Sequence, residues 1–281
     1  MHKFVELEPA VEQSNNHLGD VTVIMPIGGL ATRAREITQD LIPKHLITLG
    51  DGRPVLGHVL RGLQQVGFRK FLFCVGHHKS QIIDYIENGG WDFYGSQYNF
   101  SIQEKLLGPD GAVRQSVDDA DVRGQAMIVP GDMFLPWQGL AEMNRYHRES
   151  GIAVTFGVTS HITKRTTDVG KFIVENGTNR LLWCYERTAL DVQDDQNGSR
   201  GLTSAAAMVV DVAQYKSMID AFKVRGADDR DGKINFRDDV APWLVGNVEY
   251  PVHCFDVKGE ALDLGTPTNI YYGTEHWKHY A

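Results

Sequence analysis

An apolar segment that runs straight into a glycine-rich turn constrains the fold of this chain more than any other feature. The apolar segment covers residues 21–25, and the turn reads Gly28-Gly29-Leu30-Ala31-Thr32-Arg33. Small residues let a backbone come close to a polyphosphate, and the free N–H groups of such a turn point at its oxygens. Arg33 adds a planar, permanently charged fork, and Lys44 adds a compact positive charge from the following segment. The pattern predicts a phosphate-binding loop at the end of a buried strand.

The turn matches neither of two common glycine-rich phosphate motifs. It lacks the Gly-x-x-x-x-Gly-Lys-Ser/Thr of a P-loop and the Gly-x-Gly-x-x-Gly of a dinucleotide-binding fold. Taken alone, it is equally compatible with an ordinary strand-to-helix loop that carries a surface arginine. The remainder of the chain has to decide between these interpretations.

Composition and charge narrow the class of protein. The 281 residues are 42% hydrophobic and 23% charged, which fits one large α/β domain or one domain with an appendage. A net charge of −8 implies no basic face, so we expect no nucleic-acid partner. Residues 1–18 are polar and acidic, and no apolar run reaches membrane-spanning length. We therefore expect a flexible N-terminal leader, no membrane association and a cytoplasmic location.

The order of the predicted elements indicates a mostly parallel sheet flanked by helices. Continuous apolar runs at 21–27, 71–75 and 126–129 are typical of strands that are buried on both faces. Helical periodicity between them, clearest at 54–66, gives the spacing of parallel crossover connections. A short run at 46–49 predicts a further strand before a tight turn. These patterns together predict an α/β domain.

The pattern of predicted secondary structure changes near Gly170. Short strands separated by turn signals predict a β-rich part at about 166–260, after a first part at 19–165. Both parts belong to one predicted domain of residues 19–275, and residues 276–281 are predicted to be a C-terminal tail. An exposed β-rich part can serve as an interface, so a homo-oligomer stays open.

Two aspartates stand where a sheet of this kind binds its ligands. Asp132 follows the predicted strand at 126–129, at the carboxyl edge where ligands bind in open α/β sheets. A carboxylate beside a polyphosphate is a natural Mg²⁺ ligand, although Asp132 could instead cap the next turn. Asp263 lies between two leucines, where an unpaired acid is costly to bury, but it would also fit an exposed turn before Thr266.

These pieces occur together, and in this order, in a known family. The chain resembles the sugar-nucleotide pyrophosphorylases, the nucleotidyltransferases that join a nucleoside triphosphate to a sugar 1-phosphate. The family's signatures Gly-Gly-x-Gly-Thr-Arg, Pro-Lys, Gly-Asp, Glu-Lys and Asp-x-Gly-Thr-Pro have counterparts across residues 20–275. The counterparts are Gly28–Arg33, Pro43-Lys44, Gly131-Asp132, Gly170 with Asn176-Gly177 and Glu186-Arg187, and Asp263–Pro267.

The resemblance implies a Rossmann-like, GT-A-like nucleotidyltransferase domain with a small β-rich acceptor-binding insertion. It implies that an acceptor phosphate oxygen attacks the α-phosphorus of the nucleotide and that pyrophosphate is released. Arg33 and the loop amides would hold the triphosphate, and Lys44 would bridge the α-phosphate and the acceptor phosphate. Asp132 and Asp263 would hold Mg²⁺.

The resemblance also assigns residues to two substrate pockets. The nucleotide-binding residues that it implies are Gly28, Gly29, Leu30, Ala31, Thr32, Arg33, Gln103, Glu104, Gly108, Gly111 and Asp132. The acceptor-binding residues that it implies are Lys44, Gly170, Glu186, Arg187 and Ser204. Glu104 could accept hydrogen bonds from an exocyclic amine, which would suit cytosine or guanine, but the base stays open.

Four positions or segments depart from the family pattern, and two of them, residues 203–206 and Arg187, lie on the acceptor side. Ala31 replaces a glycine, which requires a negative φ or some backbone strain. Pro109-Asp110 replaces Thr-Ala beside the base, residues 203–206 replace Asn-Ala-Gly, and Arg187 replaces a lysine. These changes predict an unusual acceptor: a modified or higher-carbon sugar, or a non-sugar phosphate or phosphonate.

Two rival interpretations remain beside the enzyme. One is a non-catalytic protein of the same fold that binds a nucleotide or sugar nucleotide as a regulator. Retention of Arg33, Lys44, Asp132 and Asp263 favours the enzyme, because a dead site should lose at least one of them. The other is a nicotinamide-dependent oxidoreductase, which the missing Gly-x-Gly-x-x-Gly and the missing ribose-binding acid disfavour.

Overall fold

The computed structural model describes residues 5–6, 17–88, 95–161, 170–185, 198–224, 233–245 and 250–280. Its strands are β1 (Val5–Glu6), β2 (Thr22–Pro26), β3 (Lys70–Val75), β4 (Gln97–Ile102), β5 (Gln125–Ile128), β6 (Met133–Phe134), β7 (Val154–Thr159), β8 (Lys171–Glu175), β9 (Leu181–Tyr185), β10 (Ser199–Asp211), β11 (Val252–Asp256) and β12 (Leu262–Asp263). Its helices are α1 (Arg35–Thr38), α2 (Val55–Gln65), α3 (Lys79–Glu87), α4 (Gly108–Asp119), α5 (Trp137–Ser150), α6 (Val212–Val224), α7 (Ala241–Leu244) and α8 (Pro267–His276).

The main sheet has a parallel centre. Its strands follow the order β1-β4-β3-β2-β5-β10-β7-β11. The pairs β4–β3, β3–β2, β2–β5 and β7–β11 are parallel, whereas β10 is antiparallel to both β5 and β7. Antiparallel β8 and β9 continue from the first half of β10. The predicted α/β class, with helices flanking a largely parallel sheet, is confirmed.

The core explains why the central strands read as continuous apolar runs. Alternate residues point to opposite faces of a strand, and both faces of this sheet are covered. Val23, Met25 and Phe73 are fully buried on the face that α2 and α5 cover. Ile24 and Leu72 are fully buried on the opposite face, against α4 and α6. This double burial holds the carboxyl ends of β2 and β5 in place at the sheet edge.

The segment after Lys44 differs from the prediction. Residues Lys44–Leu46 form a 3-10 turn, and Thr48 makes only an isolated bridge with Pro54, so the predicted strand at 46–49 is wrong. Ile47 and Leu49 are buried while Thr48 is exposed, which imitates the alternation of a strand. The segment instead connects the glycine-rich turn to α2.

The C-terminal segment packs on the fold. Helix α8 ends at His276, and the ring of Trp277 lies 5.2 Å from that of His58. The carbonyl of Tyr280 accepts a hydrogen bond of 2.7 Å from Trp137 Nε1. The predicted tail at 276–281 is therefore anchored as far as it is described.

The predicted leader lies mostly outside the described residues. Its described part includes the two residues of β1, which pair with β4 at the edge of the sheet. In the part of the chain that the structure describes, no helix combines the length and apolar character needed to cross a membrane.

A buried carboxylate joins the first part of the domain to the β-rich part. Asp110, in the first turn of α4, accepts hydrogen bonds of 2.7 Å from the Tyr215 hydroxyl and 2.7 Å from the Phe236 N–H. Backbone bonds reinforce this junction: Ile234 N–H donates to Leu107 O at 2.9 Å, and Asp110 N–H donates to Ile234 O at 3.1 Å. Burial raises the pKa of Asp110 to about 6.

We predict that Asp110→Asn removes a pH dependence of stability. Because its folded pKa is raised, Asp110 contributes stability that is complete below about pH 4 and is lost as the pH rises through about 6. An Asn can accept from Phe236 and donate to Tyr215, so it keeps the junction without titrating. Urea unfolding should show that wild type loses about 2 kcal/mol more than the variant between pH 4.5 and 7.

The control for this experiment is Asp84→Asn, because Asp84 is an exposed acid on α3. Its unfolding free energy should follow that of wild type at every pH. Parallel profiles for wild type and Asp110→Asn would contradict the prediction.

Candidate active site

The glycine-rich turn lies directly beyond the end of β2. Gly28 is pressed against the loop after β3, because a Cβ on it would lie 2.6 Å from Gly76 N. The N–H of His77 donates to Gly28 O at 3.0 Å and fixes this contact. Ala31 adopts φ 51° and ψ 35°, in the left-handed region. The chain therefore accepts backbone strain at the position where the family pattern has glycine.

Two ion pairs stand beside this turn. Lys44 Nζ contacts Asp132 Oδ2, and both side chains are largely buried, with 18% and 9% exposed. Arg33 Nη2 lies 3.1 Å from Asp263 Oδ2, with 37% and 21% of these side chains exposed. The four residues that the sequence singled out for phosphate and metal binding thus form two acid–base pairs.

A short ladder brings the two acids together from distant parts of the chain. Strand β12 pairs antiparallel with β6, which begins directly after Asp132, and Leu264 N–H donates to Asp132 O at 2.9 Å. Gly265 leaves room for the second pair, since a Cβ there would lie 2.7 Å from Asp263 Oδ1 and 2.8 Å from Arg33 Nη2. The N–H of Gly265 also donates to Asp263 Oδ1 at 2.7 Å, which orients that carboxylate.

The charges of the buried pair are well defined. Burial disfavours the ionised form of Asp132, but the charge and hydrogen bond of Lys44, together with the charge of Arg33, hold the pKa of this carboxyl below its usual range. Burial, followed by the neighbouring charge of Lys44, lowers the pKa of His45 to about 3. His45 is therefore neutral near pH 7, and Lys44 carries the positive charge beside Asp132.

A cavity of about 260 Å³ extends from the two ion pairs to the β-rich part. The predicted site residues in its wall are Arg33, Lys44, Asp132, Gly170, Ser204 and Asp263. Ser204 lies where β10 shifts register against β7, a bulge that also puts Ala206 at φ 54°. Bulges next to binding sites commonly redirect side chains. Glu186 and Arg187, the other predicted acceptor residues, lie outside the described residues.

A neighbouring cavity of about 380 Å³ contains most of the predicted nucleotide residues. They are Gly28, Gly29, Leu30, Ala31, Thr32, Gln103 and Gly108. Lys44 lines this cavity as well as the first one. Gln103 is buried, and its Nε2 has no hydrogen-bond partner among the described residues. The cavity therefore offers a glycine-rich backbone, a shared lysine and a buried amide group.

Two of the predicted nucleotide-binding residues, Glu104 and Gly111, do not line either cavity. The side chain of Glu104 is 82% exposed, and its Oε1 lies 3.0 Å from Lys79 Nζ. Gly111 is buried in α4, where a Cβ would lie 2.9 Å from Leu107 Cβ. Contact of either residue with a nucleotide stays a prediction.

Arg237 is a cleft residue that the sequence reasoning missed. It belongs to a π-helical turn, Phe236–Val240, and lines the 260 Å³ cavity. Its Nη2 donates to Asp238 Oδ2 at 2.9 Å, and its Cδ would lie 3.1 Å from a Cβ on Gly170. The sequence carries only a weak signal for it, an arginine followed by two acids, because its approach to Gly170 depends on long-range packing.

The donor set in the cleft fits a hard divalent cation. Asp132 and Asp263 offer carboxylate oxygens to one cavity, and Mg²⁺ is commonly held by one or two carboxylates together with substrate phosphates. Each carboxylate also contacts a basic side chain, and both acids line the 260 Å³ cavity.

Comparison with known proteins places the chain in a family. A sequence model of the nucleotidyl transferase family matches residues 21–176, more than half of the chain. The protein belongs to this family, and the resemblance drawn from its motifs is confirmed. The matched region includes the glycine-rich turn, Lys44 and Asp132.

Individual relatives are distant. The D-glycero-alpha-D-manno-heptose 1-phosphate guanylyltransferase of Campylobacter jejuni is 29% identical over 111 residues, which is 40% of this chain and 47% of that protein. Mannose-1-phosphate guanyltransferase 2 of Candida glabrata is 21% identical over 252 residues, which is 88% of this chain and 62% of that protein. The chain thus spans roughly half the length of the curated relatives that it matches.

A solved structure shows the same fold. HddC from Yersinia pseudotuberculosis, crystallised in complex with GMP-PN, superposes with a TM-score of 0.65 at 18% identity. The match covers 92% of this chain and 99% of that one. The two proteins therefore share a fold over most of this chain.

We predict that Ala31→Gly stabilises the protein. A left-handed non-glycine residue is disfavoured by roughly 1–2 kcal/mol, and glycine relieves this at the expense of more freedom in the unfolded chain. The free energy of unfolding should rise by about 0.5–1 kcal/mol in urea titrations. Ala34→Gly is the control, because Ala34 is buried at φ −98° and should lose stability. A destabilised Ala31→Gly would contradict the strain argument.

Proposed function

We propose that this protein transfers a nucleoside monophosphate from a nucleoside triphosphate to a sugar 1-phosphate, or to a related phosphate or phosphonate, and releases pyrophosphate. The observation that carries the proposal is the position of Lys44, which lines both cavities and contacts Asp132. A cation shared by a glycine-rich loop and a second pocket suits a reaction in which two phosphates meet.

The chemistry requires positioning and charge neutralisation. An oxygen of the acceptor phosphate attacks the α-phosphorus, the bond to the β-phosphate oxygen breaks, and the electron pair leaves with pyrophosphate. The nucleophile is already an anion, so no general base is needed. Arg33 and the loop N–H groups would hold the triphosphate and the departing pyrophosphate, and Lys44 would sit between the α-phosphate and the acceptor.

Asp132 and Asp263 would hold a Mg²⁺ ion in this proposal. The ion would supply positive charge against the phosphates, in a protein whose net charge is −8. Arg33 and Lys44, which contact these carboxylates, add fixed positive charge at the same place.

Guanine is the base to test first. The Campylobacter and Candida relatives are both named as guanylyl- or guanyltransferases, and the Yersinia structure was solved with GMP-PN. Gln103 supports a base pocket beside the loop, because a buried amide without a partner among the described residues can pair with a purine edge.

The acceptor pocket favours an anionic group near Arg237. Arg237, Gly170 and Ser204 line the cavity that Lys44 shares with the nucleotide side. Arg33, Lys44 and Arg237 all line this cavity, so we assign the acceptor phosphate to it, although Arg237 also pairs with Asp238. The family's usual residues are replaced at 203–206, and we therefore expect a heptose or modified sugar 1-phosphate to be used better than common hexose 1-phosphates.

We predict Mg²⁺-dependent pyrophosphate release with one nucleoside triphosphate, GTP first, and one acceptor pool. Hexose 1-phosphates, heptose 1-phosphates and phosphonates should be tested as separate pools against each of the common nucleotides. Asp132→Asn serves as the blank, since it removes a carboxylate charge from the cleft. Best activity with an ordinary hexose 1-phosphate would contradict the unusual acceptor. Nucleotide binding without release from any combination would favour a regulatory protein of this fold.

We further predict that Arg33→Ala lowers kcat/KM by about 10²–10³, because it removes charge stabilisation from the departing pyrophosphate. The matched control is Arg123→Ala, which removes an arginine paired with Asp121 at a site where 82% of the arginine is exposed. Its kcat/KM should stay within about twofold of wild type. Equal effects of the two substitutions would contradict the role of Arg33.

A further inference from the structure

A second cluster of ligand-bearing side chains lies behind the glycine-rich turn, and the proposed transfer reaction does not use it. Asp40, His77 and His78 each offer a ligand atom, and these atoms all lie within 4.8 Å of one another. None of the three residues lines either cavity of the cleft. The cluster is therefore separate from Asp132 and Asp263.

The distances within the cluster are close to those of a coordination sphere. His77 Nε2 lies 3.1 Å from Asp40 Oδ1, and His78 Nε2 lies 3.7 Å from the same oxygen. A tetrahedral ion with bonds of about 2.0–2.1 Å holds its ligand atoms roughly 3.3–3.4 Å apart. Only small side-chain movements would convert this cluster into three ligands of one ion.

One ring nitrogen of the cluster lacks a hydrogen-bond partner among the described residues. His78 Nε2 is buried and makes no hydrogen bond within the described residues. A buried polar atom left unpaired destabilises a protein by about 1–3 kcal/mol, so such an atom often marks a ligand site. The side chains of His77 and Asp40 are 32% and 45% exposed, which leaves the cluster open to an ion from solvent.

Strained backbone holds these side chains together. Gln39, Asp40 and His78 have φ values of 49°, 60° and 57°, all in the left-handed region. Non-glycine residues in this region are uncommon and concentrate at functional sites. The strain affects both segments that supply ligands, the one after α1 and the one after β3.

We infer that Asp40, His77 and His78 bind a transition-metal ion of the zinc type, with water completing its coordination. Two imidazoles and one carboxylate suit Zn²⁺, Co²⁺ or Ni²⁺, whereas Mg²⁺ and Ca²⁺ prefer oxygen ligands throughout. Ligation through His77 Nε2 requires the proton on that nitrogen to move to Nδ1, so that the ring binds the metal as the neutral Nδ1–H tautomer.

Such an ion would stabilise the glycine-rich turn through the segments that hold Asp40 and His77. The N–H of His77 holds Gly28 O, and Gln81 Nε2 donates to Leu41 O at 2.9 Å, so the two ligand-bearing segments already touch. A metal would join them through side chains as well. The inference does not rest on the proposed transfer reaction.

The test is Zn²⁺ binding to the whole metal-free protein in excess Mg²⁺, with bound metal counted after gel filtration. Wild type should retain about one Zn²⁺ per chain, and its Tm should rise with Zn²⁺. Co²⁺ should give the strong visible absorption of a low-coordinate site. Asp40→Asn and His78→Asn should weaken binding at least about 10-fold, because each removes a ligand and even the loss of an outer-shell partner costs about 10–100-fold. Asn is chosen because it tolerates the left-handed backbone at both positions.

The matched control is His279→Asn, which removes an exposed histidine from another histidine pair, His276 and His279. It should bind Zn²⁺ like wild type. All variants should unfold in one transition without metal, which separates loss of a ligand from loss of the fold. Zn²⁺ retention by wild type no greater than by Asp40→Asn and His78→Asn would overturn the inference, whatever the outcome of the pyrophosphate assay.

Discussion

The contact between Lys44 and Asp132 is the interaction on which the cleft depends. A carboxylate that is only 9% exposed would be strongly destabilised without a cation, and removing one partner of a buried pair commonly destabilises by about 3–5 kcal/mol. The pair also ties the segment before α2 to the end of β5. The same contact therefore helps to fix the geometry of the cleft, and in the proposed function the same two residues would also bind ligands.

Local sequence patterns were enough to predict much of the fold and several residues of the candidate site. The apolar runs of β2, β3 and β5 and the glycine-rich turn were readable because each depends on neighbouring residues in the chain. Asp132 could be placed at the sheet edge from the strand before it. Long-range contacts were not readable: nothing near Arg237 in sequence indicates that it faces Gly170, and nothing near Glu104 reveals its pairing with Lys79. The prediction at 46–49 was wrong for the same reason: its burial alternates as in a strand, but its pairing is limited to the isolated bridge between Thr48 and Pro54.

Five of the eight left-handed non-glycine residues in the described part of the chain lie around the two sites. Ala31 and Ala206 are left-handed beside the cleft, and Gln39, Asp40 and His78 are left-handed behind it. These conformations persist because packing determines them: β2 and β3 are buried on both faces, and their ends cannot relax without disturbing the core. A sequence shows which residues are present, but this strain becomes visible only when the strand ends are in place. The role of Asp110 is also visible only in the folded structure, because its carboxylate joins segments more than 100 residues apart in the sequence.

The length of β10 has a mechanical consequence. This single strand of 13 residues pairs with β8 at its beginning and with β5 and β7 further on, so both parts of the domain share one continuous backbone ladder. Rotation of one part against the other as rigid bodies would break those hydrogen bonds. The strand can bend most easily at the bulge between Ser204 and Met208, where pairing with β7 is interrupted next to the cavity. A change in the width of the cleft would therefore have to bend this one strand at its bulge, which would limit the change to a small displacement.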